Sequence, residues 1–288
     1  MSEASTDQRP RIEAAMSHLL GDDWRKRQAI SQISPITIGL SGTQVWRLDH
    51  ADGRSCYLKL ATQPIQRQEL RAERDALAWL CKIGARMSAL VPEPLAYTTD
   101  DASDGYDALL LTEIPGLMAC DPVFAADVPA LARRLGEGLR LIHAVEIAGC
   151  PLDQRLDAKL AEAQRRVEAG LVNVDDFDEE RQGRSASDLF CEALATRPTS
   201  EELVFTHGDY CLPNVFLSQA DPKAARITGF VDWGGAGVAD RYQDLALATR
   251  SLEYNFGRGW GEYFWAGYGV GEVDRTKVAY YRLLDEFF

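Results

Sequence analysis

The most restrictive feature of this chain is a change of hydrophobic period near residue 114. Before it, apolar runs follow the two-residue alternation of half-buried strands: ITIGL from Ile36, then QVWRLD, then CYLKLA. The turn Ala51, Asp52, Gly53 closes the last two into a hairpin. After Pro64, Leu70, Leu77 and Leu80 share a helical face between Gln68 and Leu80, with Glu73 one turn before Leu77. A further strand, Ala108 to Leu111, runs into Thr112, Glu113, Ile114, Pro115 and Gly116, where Pro and Gly interrupt regular structure. Downstream the period lengthens to about 3.6 residues. Asp127 is placed to cap a helix with the stripe Val128, Leu131, Leu135, Leu139 and Ile142, and Leu156, Leu160, Ala163 and Val167 form a second stripe. These patterns predict an α+β chain with a small antiparallel-sheet lobe over residues 1–113 and a larger, mainly helical lobe over residues 114–288. The first eight residues are polar and read as a frayed arm.

Charge narrows the partners. With 31 basic and 44 acidic residues the net charge is −13, which disfavours a nucleic acid partner and favours cationic ones. Six cysteines, at 56, 81, 120, 150, 191 and 211, show no C-x-x-C pair and no zinc-type spacing. The N-terminal stretch lacks the layout of a secretory signal, and no run reaches the roughly 20 apolar residues of a membrane span. Free thiols in a cytoplasmic protein, with no membrane partner, are expected.

The exception in the helical lobe is Leu203 to Asp232. A short apolar run leads into His207-Gly208-Asp209, and Val215–Leu217 and Ile227–Val231 read as strands joined by a polar turn containing Asp221 and Pro222. In such an antiparallel pair the residue before the first strand and the residue after the second lie at one end, so Asn214 and Asp232 are expected to be neighbours. Two oxygen donors at one place suit a hard cation such as magnesium. Elsewhere, Asp175, Asp176, Asp178, Glu179 and Glu180 fall within six positions with no base among them, and Asp285, Glu286 and the terminal carboxylate of Phe288 add further negative charge. A ligand carrying several ammonium groups could be held on such a wall by charge-assisted hydrogen bonds, although acidic runs commonly form solvated faces.

The segments HGDYCLPN and VDWG resemble the catalytic loop and metal-binding motif of aminoglycoside phosphotransferases, relatives of the protein kinases. EAGLVNVDDFDEERQG, VADRYQDLALATR and the terminal RLLDEFF are similar to segments of the 3′-phosphotransferase branch, the kanamycin kinases. The resemblance implies a protein-kinase-like two-lobed fold and ATP-dependent, magnesium-assisted phosphorylation of the 3′-hydroxyl of a kanamycin-type aminoglycoside, conferring antibiotic resistance, by a monomer. It implies Asp209 as the catalytic base and Asn214 and Asp232 as magnesium ligands. Lys59, paired with Glu73, would neutralise the phosphates, with Ser41, Gly42 and Thr43 of the loop between the first two strands covering them and Thr112, Glu113 and Ile114 meeting the adenine. Asp176, Asp178, Glu179, Asp285, Glu286 and Phe288 would line the sugar site. His207 reads as a structural residue of the loop and His143 as helix packing. One departure stands out: where the family commonly has Asp-x-Gly-Arg, this chain has Asp232-Trp233-Gly234-Gly235 and lacks the positive charge. A kinase of a macrolide, choline, homoserine or a fructosamine would carry the same short motifs, and a non-catalytic nucleotide-binding protein on this scaffold is a further alternative.

Overall fold

The computed structural model describes residues 9–27, 29–37, 42–102, 105–218 and 224–288. The chain divides into two compact units, the first comprising Met1–Pro115 with Gly229–Gly234 and the second Gly116–Thr228 with Gly235–Phe288. In the first, α1 (Arg9–Leu20) and α2 (Trp24–Arg27) precede β1 (Ile30–Ile36), β2 (Gln44–His50) and β3 (Ser55–Ala61). There follow α3 (Pro64–Leu80), α4 (Ala85–Ser88), β4 (Pro94–Thr99) and β5 (Asp107–Thr112). The strands form one antiparallel sheet in the order β1-β2-β3-β5-β4. Leu48, Cys56, Leu58, Leu60, Ala108 and Leu110 cluster with Ile12, Met16 and Trp24 in one core. Alternation along β3 turns Lys59, between Leu58 and Leu60, to the opposite face. There α3 buries Leu70, Glu73, Ala76, Leu77 and Leu80.

The expected hairpin and the 108–111 strand form as read, and the helix after Pro64 starts four residues earlier, at Pro64 itself. The first strand is a correction: it ends at Ile36 rather than beginning there, because residues 30–36 complete the ladder on β2 from Ile30↔His50 to Ile36↔Val45. Residues 38–41 of the expected strand and loop, Ser41 included, lie outside the described residues, as do the first eight and the turn residues Asp221 and Pro222.

The second unit contains β6 (Leu117–Met118), α5 (Val128–His143), α6 (Leu156–Glu168), α7 (Ala186–Ala195), β7 (Leu203–Thr206), β8 (Val215–Leu217), β9 (Ile227–Phe230, whose last two residues belong to the first unit), β10 (Gly237–Asp240), α8 (Tyr242–Phe256), α9 (Gly261–Tyr268) and α10 (Arg275–Asp285). Two small sheets, β6-β8-β9 and β10-β7, sit among these helices. The Asp127 carboxylate accepts from the Ala130 amide and caps α5, whose five expected stripe residues are all buried. Among the described residues all six cysteines are free, and no helix is long and apolar enough to cross a membrane.

Candidate functional site

The candidate residues fall into separate groups in the two units. In the first unit, the Lys59 ammonium donates to both Glu73 oxygens at 2.7 Å and to Asp232 Oδ1 at 3.1 Å. Glu73 is 2% exposed and also accepts from the Trp233 backbone, so the pair is fixed from both sides. Burial acts against the ammonium, but Asp232 and Glu73 outweigh it and raise the Lys59 pKa above the usual lysine value. Asp232 sits in the left-handed region at φ 68°, a conformation costly for a side-chain-bearing residue and common where function fixes the backbone. Trp233 is buried, its indole N–H donating to the Phe230 carbonyl at 3.0 Å and its ring edge-on to Phe230.

At the end of β5, Thr112 is tied to Glu93 through its amide (3.1 Å) and its hydroxyl (2.8 Å). Beyond the strand ladders, Glu113 and Ile114 make no backbone hydrogen bond among the described residues, so their N–H and C=O groups are left for another partner.

In the second unit, the loop after β7 is held from beneath. Asp244, fully buried on α8, accepts from the backbone amides of His207 (2.7 Å) and Gly208 (2.8 Å) and from His143 Nε2 (3.0 Å). His143 Nδ1 then accepts from the Tyr268 hydroxyl at 2.8 Å. His207, itself buried, accepts the Asp209 amide on Nδ1 at 3.3 Å, while Ser251 on α8 accepts the Leu212 amide at 2.9 Å. Gly208 has φ 86°, and a Cβ there would meet the Gly235 carbonyl oxygen at 1.9 Å, so no other residue fits. This scaffold presents Asp209 beside Asn214, whose amide nitrogen donates to Asp209 Oδ2 (2.8 Å) and to the Asp209 carbonyl (3.1 Å). The Asn214 amide oxygen keeps no hydrogen-bond partner among the described residues. A free amide oxygen and a carboxylate are the hard donors that magnesium takes.

The acidic insert and the chain end also meet within the second unit. Arg250 on α8 bridges Asp178 (3.0 Å) and Asp285, and Arg181 bonds both Glu286 (3.1 Å) and Asp178 (3.3 Å). The Glu286 carboxylate accepts the Asp178 amide, at 3.2 Å for its nearer oxygen. Burial, with Asp178 adding to it, pushes Glu286 up to about 7 despite Arg181 and Arg250. Phe287 is buried edge-on to Phe190, which anchors the terminus. Phe288 is 43% exposed, and its ring carries Lys159 Nζ at 4.4 Å and Arg166 at 5.4 Å. Asp176 and Glu179 are exposed on two short turns, Val174–Asp176 and Glu179–Arg181. The wall that reads as purely acidic in sequence is thus threaded with the chain's own cations.

Sequence reasoning missed Asp244, Ser251, Arg181, Arg250 and Lys159. A signal for Asp244 was present: it is a carboxylate directly before the apolar run Leu245–Leu247 of α8, and such a residue is buried only when paired. His143, read as packing, is a member of the same hydrogen-bonded chain.

Comparison with known proteins bears on what these groups serve. The model of the phosphotransferase enzyme family matches residues 32–281. An aminoglycoside 3′-phosphotransferase of Streptomyces fradiae is 40% identical over 81% of this chain and 85% of its own length. One from Niallia circulans is 37% identical over 87% and 90%. Among solved structures, a type VIII aminoglycoside-3′-phosphotransferase matches with a TM-score of 0.72 at 34% identity, covering 89% of this chain and 94% of that one. Aminoglycoside phosphotransferase APH(3″)-Id of Streptomyces rimosus, in complex with ADP and streptomycin, matches with a TM-score of 0.72 at 26% identity, over 91% and 95%. The α+β, kinase-like fold is shared with these neighbours. On the length of that family match and the identity of these relatives, the chain belongs to the phosphotransferase enzyme family, among the aminoglycoside 3′-phosphotransferases.

Proposed function

We propose that the protein transfers the γ-phosphoryl group of ATP to the 3′-hydroxyl of kanamycin-type aminoglycosides, a modification that confers resistance. The observation that carries this reading is the Asp209–Asn214 pair, set on a loop whose backbone is pinned to buried Asp244. A carboxylate so fixed, with its neighbour's amide donating to one oxygen, suits orienting an acceptor hydroxyl and taking its proton. Most of the acceleration comes from positioning and charge, not from basicity.

On this reading the first unit binds the nucleotide. The Lys59 ammonium, held by Glu73, neutralises phosphate oxygens, Gly42 and Thr43 lie over them, and the unpaired backbone groups of Glu113 and Ile114 meet the adenine edge. Asn214, at the entry to β8, and Asp232, after β9, hold magnesium, which when bound supplies charge neutralisation at the phosphates. The second unit receives the acceptor: the Asp178, Asp285 and Glu286 cluster, with exposed Asp176 and Glu179 and the Phe288 carboxylate, binds ammonium groups of the sugar.

A coupled ADP-release assay across kanamycin, streptomycin, choline, homoserine and a macrolide tests the assignment. Turnover is expected with kanamycin. A signal confined to a non-aminoglycoside would overturn the substrate class.

A further inference from the structure

The loop that presents Asp209 is tied to a chain of buried hydrogen bonds that ends on Tyr268. Asp244 accepts the amides of His207 (2.7 Å) and Gly208 (2.8 Å), the two residues before Asp209. An ionised carboxylate only accepts, so its 3.0 Å contact with His143 Nε2 requires a proton on that nitrogen. Nδ1 is left facing the Tyr268 hydroxyl at 2.8 Å, with the two rings edge-on at 81°. Water is kept from the whole chain: the His143 side chain is 3% exposed, and Asp244 and Tyr268 are buried. Three helices supply these groups. His143 closes α5, Asp244 lies in the first turn of α8 and Tyr268 closes α9. Glycines let α5 and α9 touch: a Cβ at Gly136 would lie 2.5 Å from the Tyr268 amide nitrogen, and one at Gly267 would lie 2.0 Å from the Arg133 carbonyl oxygen. Packing therefore fixes the backbone on both sides of the His143–Tyr268 bond.

An imidazole held at one nitrogen can pivot about that bond, whereas one held at both keeps its plane and its tautomer. We propose that Tyr268 is a positioning residue for Asp209: its hydroxyl donates to the unprotonated Nδ1 of His143, which fixes the imidazole against Asp244 and, through Asp244, the backbone that presents Asp209. Without the hydroxyl, Nδ1 is a buried acceptor with no donor, and the ring is released from the plane in which Nε2 meets the carboxylate. A group that orients a hydroxyl works through geometry, and a misplacement of about 1 Å costs on the order of 10²-fold in rate. The inference rests on the reading of Asp209 as the base given above.

Tyr268→Phe keeps the ring and its packing and deletes the hydroxyl alone. It is expected to lower kcat for kanamycin phosphorylation by about tenfold while the KM values for ATP and kanamycin stay within about twofold, the pattern of a group that acts on the reaction step and not on binding. His143→Gln shows whether the effect passes through the imidazole. Its amide donates to Asp244 without help from Tyr268, so adding Tyr268→Phe to it should lower kcat by less than about twofold more. A purely structural tyrosine would lower the melting temperature alone, or would cost the same factor in both backgrounds. Nitrogen NMR of isotope-labelled histidine gives a readout independent of turnover: in the wild type His143 should show a protonated Nε2 and a bare, hydrogen-bonded Nδ1, and in Tyr268→Phe the Nδ1 signal should lose its hydrogen bond. Wild-type kcat in Tyr268→Phe, an equal loss in the His143→Gln background, or a proton on Nδ1 in the wild type would overturn the proposal. Should Tyr268→Phe fail to fold, the wild-type spectrum and its Nδ1 decide the matter. No phosphorylation of kanamycin by the wild type would defeat the substrate reading instead, and the spectrum would still decide the Tyr268–His143 bond.

Discussion

The Lys59 cluster of the first unit and the acidic cluster of the second are both built from opposite charges, but they are built differently. In the first, one buried ammonium is shared by Glu73 and Asp232 at 2.7 and 3.1 Å. The carboxylates hold the cation in place. In the second, carboxylates from Asp178, Asp285 and Glu286 predominate, and Arg250 and Arg181 bridge them and keep them from repelling one another. On the proposed reading, a nucleotide would bring negative charge to an ammonium already aimed, whereas a polyamine would have to share carboxylates with arginines that are already there. The first arrangement favours one kind of ligand, and the second favours adjustable selection among cationic ones.

The largest expected effect breaks the first cluster. Lys59→Ala leaves Glu73 and Asp232 facing each other without their cation, and kcat/KM for ATP should fall by about 10²–10³ while the aminoglycoside KM stays near wild type, as steady-state titration of each substrate would show. An equal loss for both substrates would erase the distinction between the clusters. Next comes the support beneath the loop after β7. Asp244→Ala strands the amides of His207 and Gly208 and the His143 ring, and should lower unfolding free energy by about 3–5 kcal/mol in denaturant titration.

A smaller effect sharpens the second cluster through pH. Because Glu286 is raised to about 7 in the folded protein, the folded state binds a proton that the unfolded chain, at about 4.3, releases. Its contribution to stability is complete below about pH 4.3 and lost as pH rises through about 7. Glu286→Gln should remove that loss, so the melting-temperature difference between variant and wild type should shift in favour of the variant from about pH 4 to about pH 8. The smallest effect is expected at the departure from the family motif. A Cβ at Gly235 would meet the Gly208 carbonyl carbon at 3.2 Å, so Gly235→Arg requires the loop to give by a few tenths of an ångström. Its aminoglycoside KM values should change by less than about tenfold, with ATP kinetics unmoved.

What could be read in the sequence followed burial. β2, β3 and β5 occupy the middle of the sheet and carry the apolar residues that show as alternation, and α5 shows its stripe and its Asp127 cap. The misplaced β1 and the unanticipated β4 are the two edge strands, each partnered on one side, and each contains a proline, Pro35 and Pro94, of the kind edges tolerate. α1, also unanticipated, buries Ile12, Ala15 and Met16 within an otherwise polar segment, a pattern too sparse to read. In the site, local pattern put Lys59 on a strand and Glu73 on a helix, and the resemblance paired them. Asp244, Arg250 and Arg181 were not, because each takes its role from partners distant in sequence: Asp244 from a loop 36 residues earlier, Arg250 from Asp285 and Arg181 from Glu286.

The central claim is that Asp209 directs ATP's γ-phosphoryl group onto one hydroxyl of an aminoglycoside. Phosphorus NMR of kanamycin incubated with ATP and magnesium, alongside the Asp209→Ala variant with its nucleotide affinity measured by calorimetry, tests it most directly. The account predicts a single phosphate ester at the 3′-hydroxyl with the wild type, and with the variant a rate lower by about 10²–10⁴ at nearly unchanged nucleotide affinity. Full turnover in the variant, or no phosphorylated kanamycin from the wild type, would contradict it.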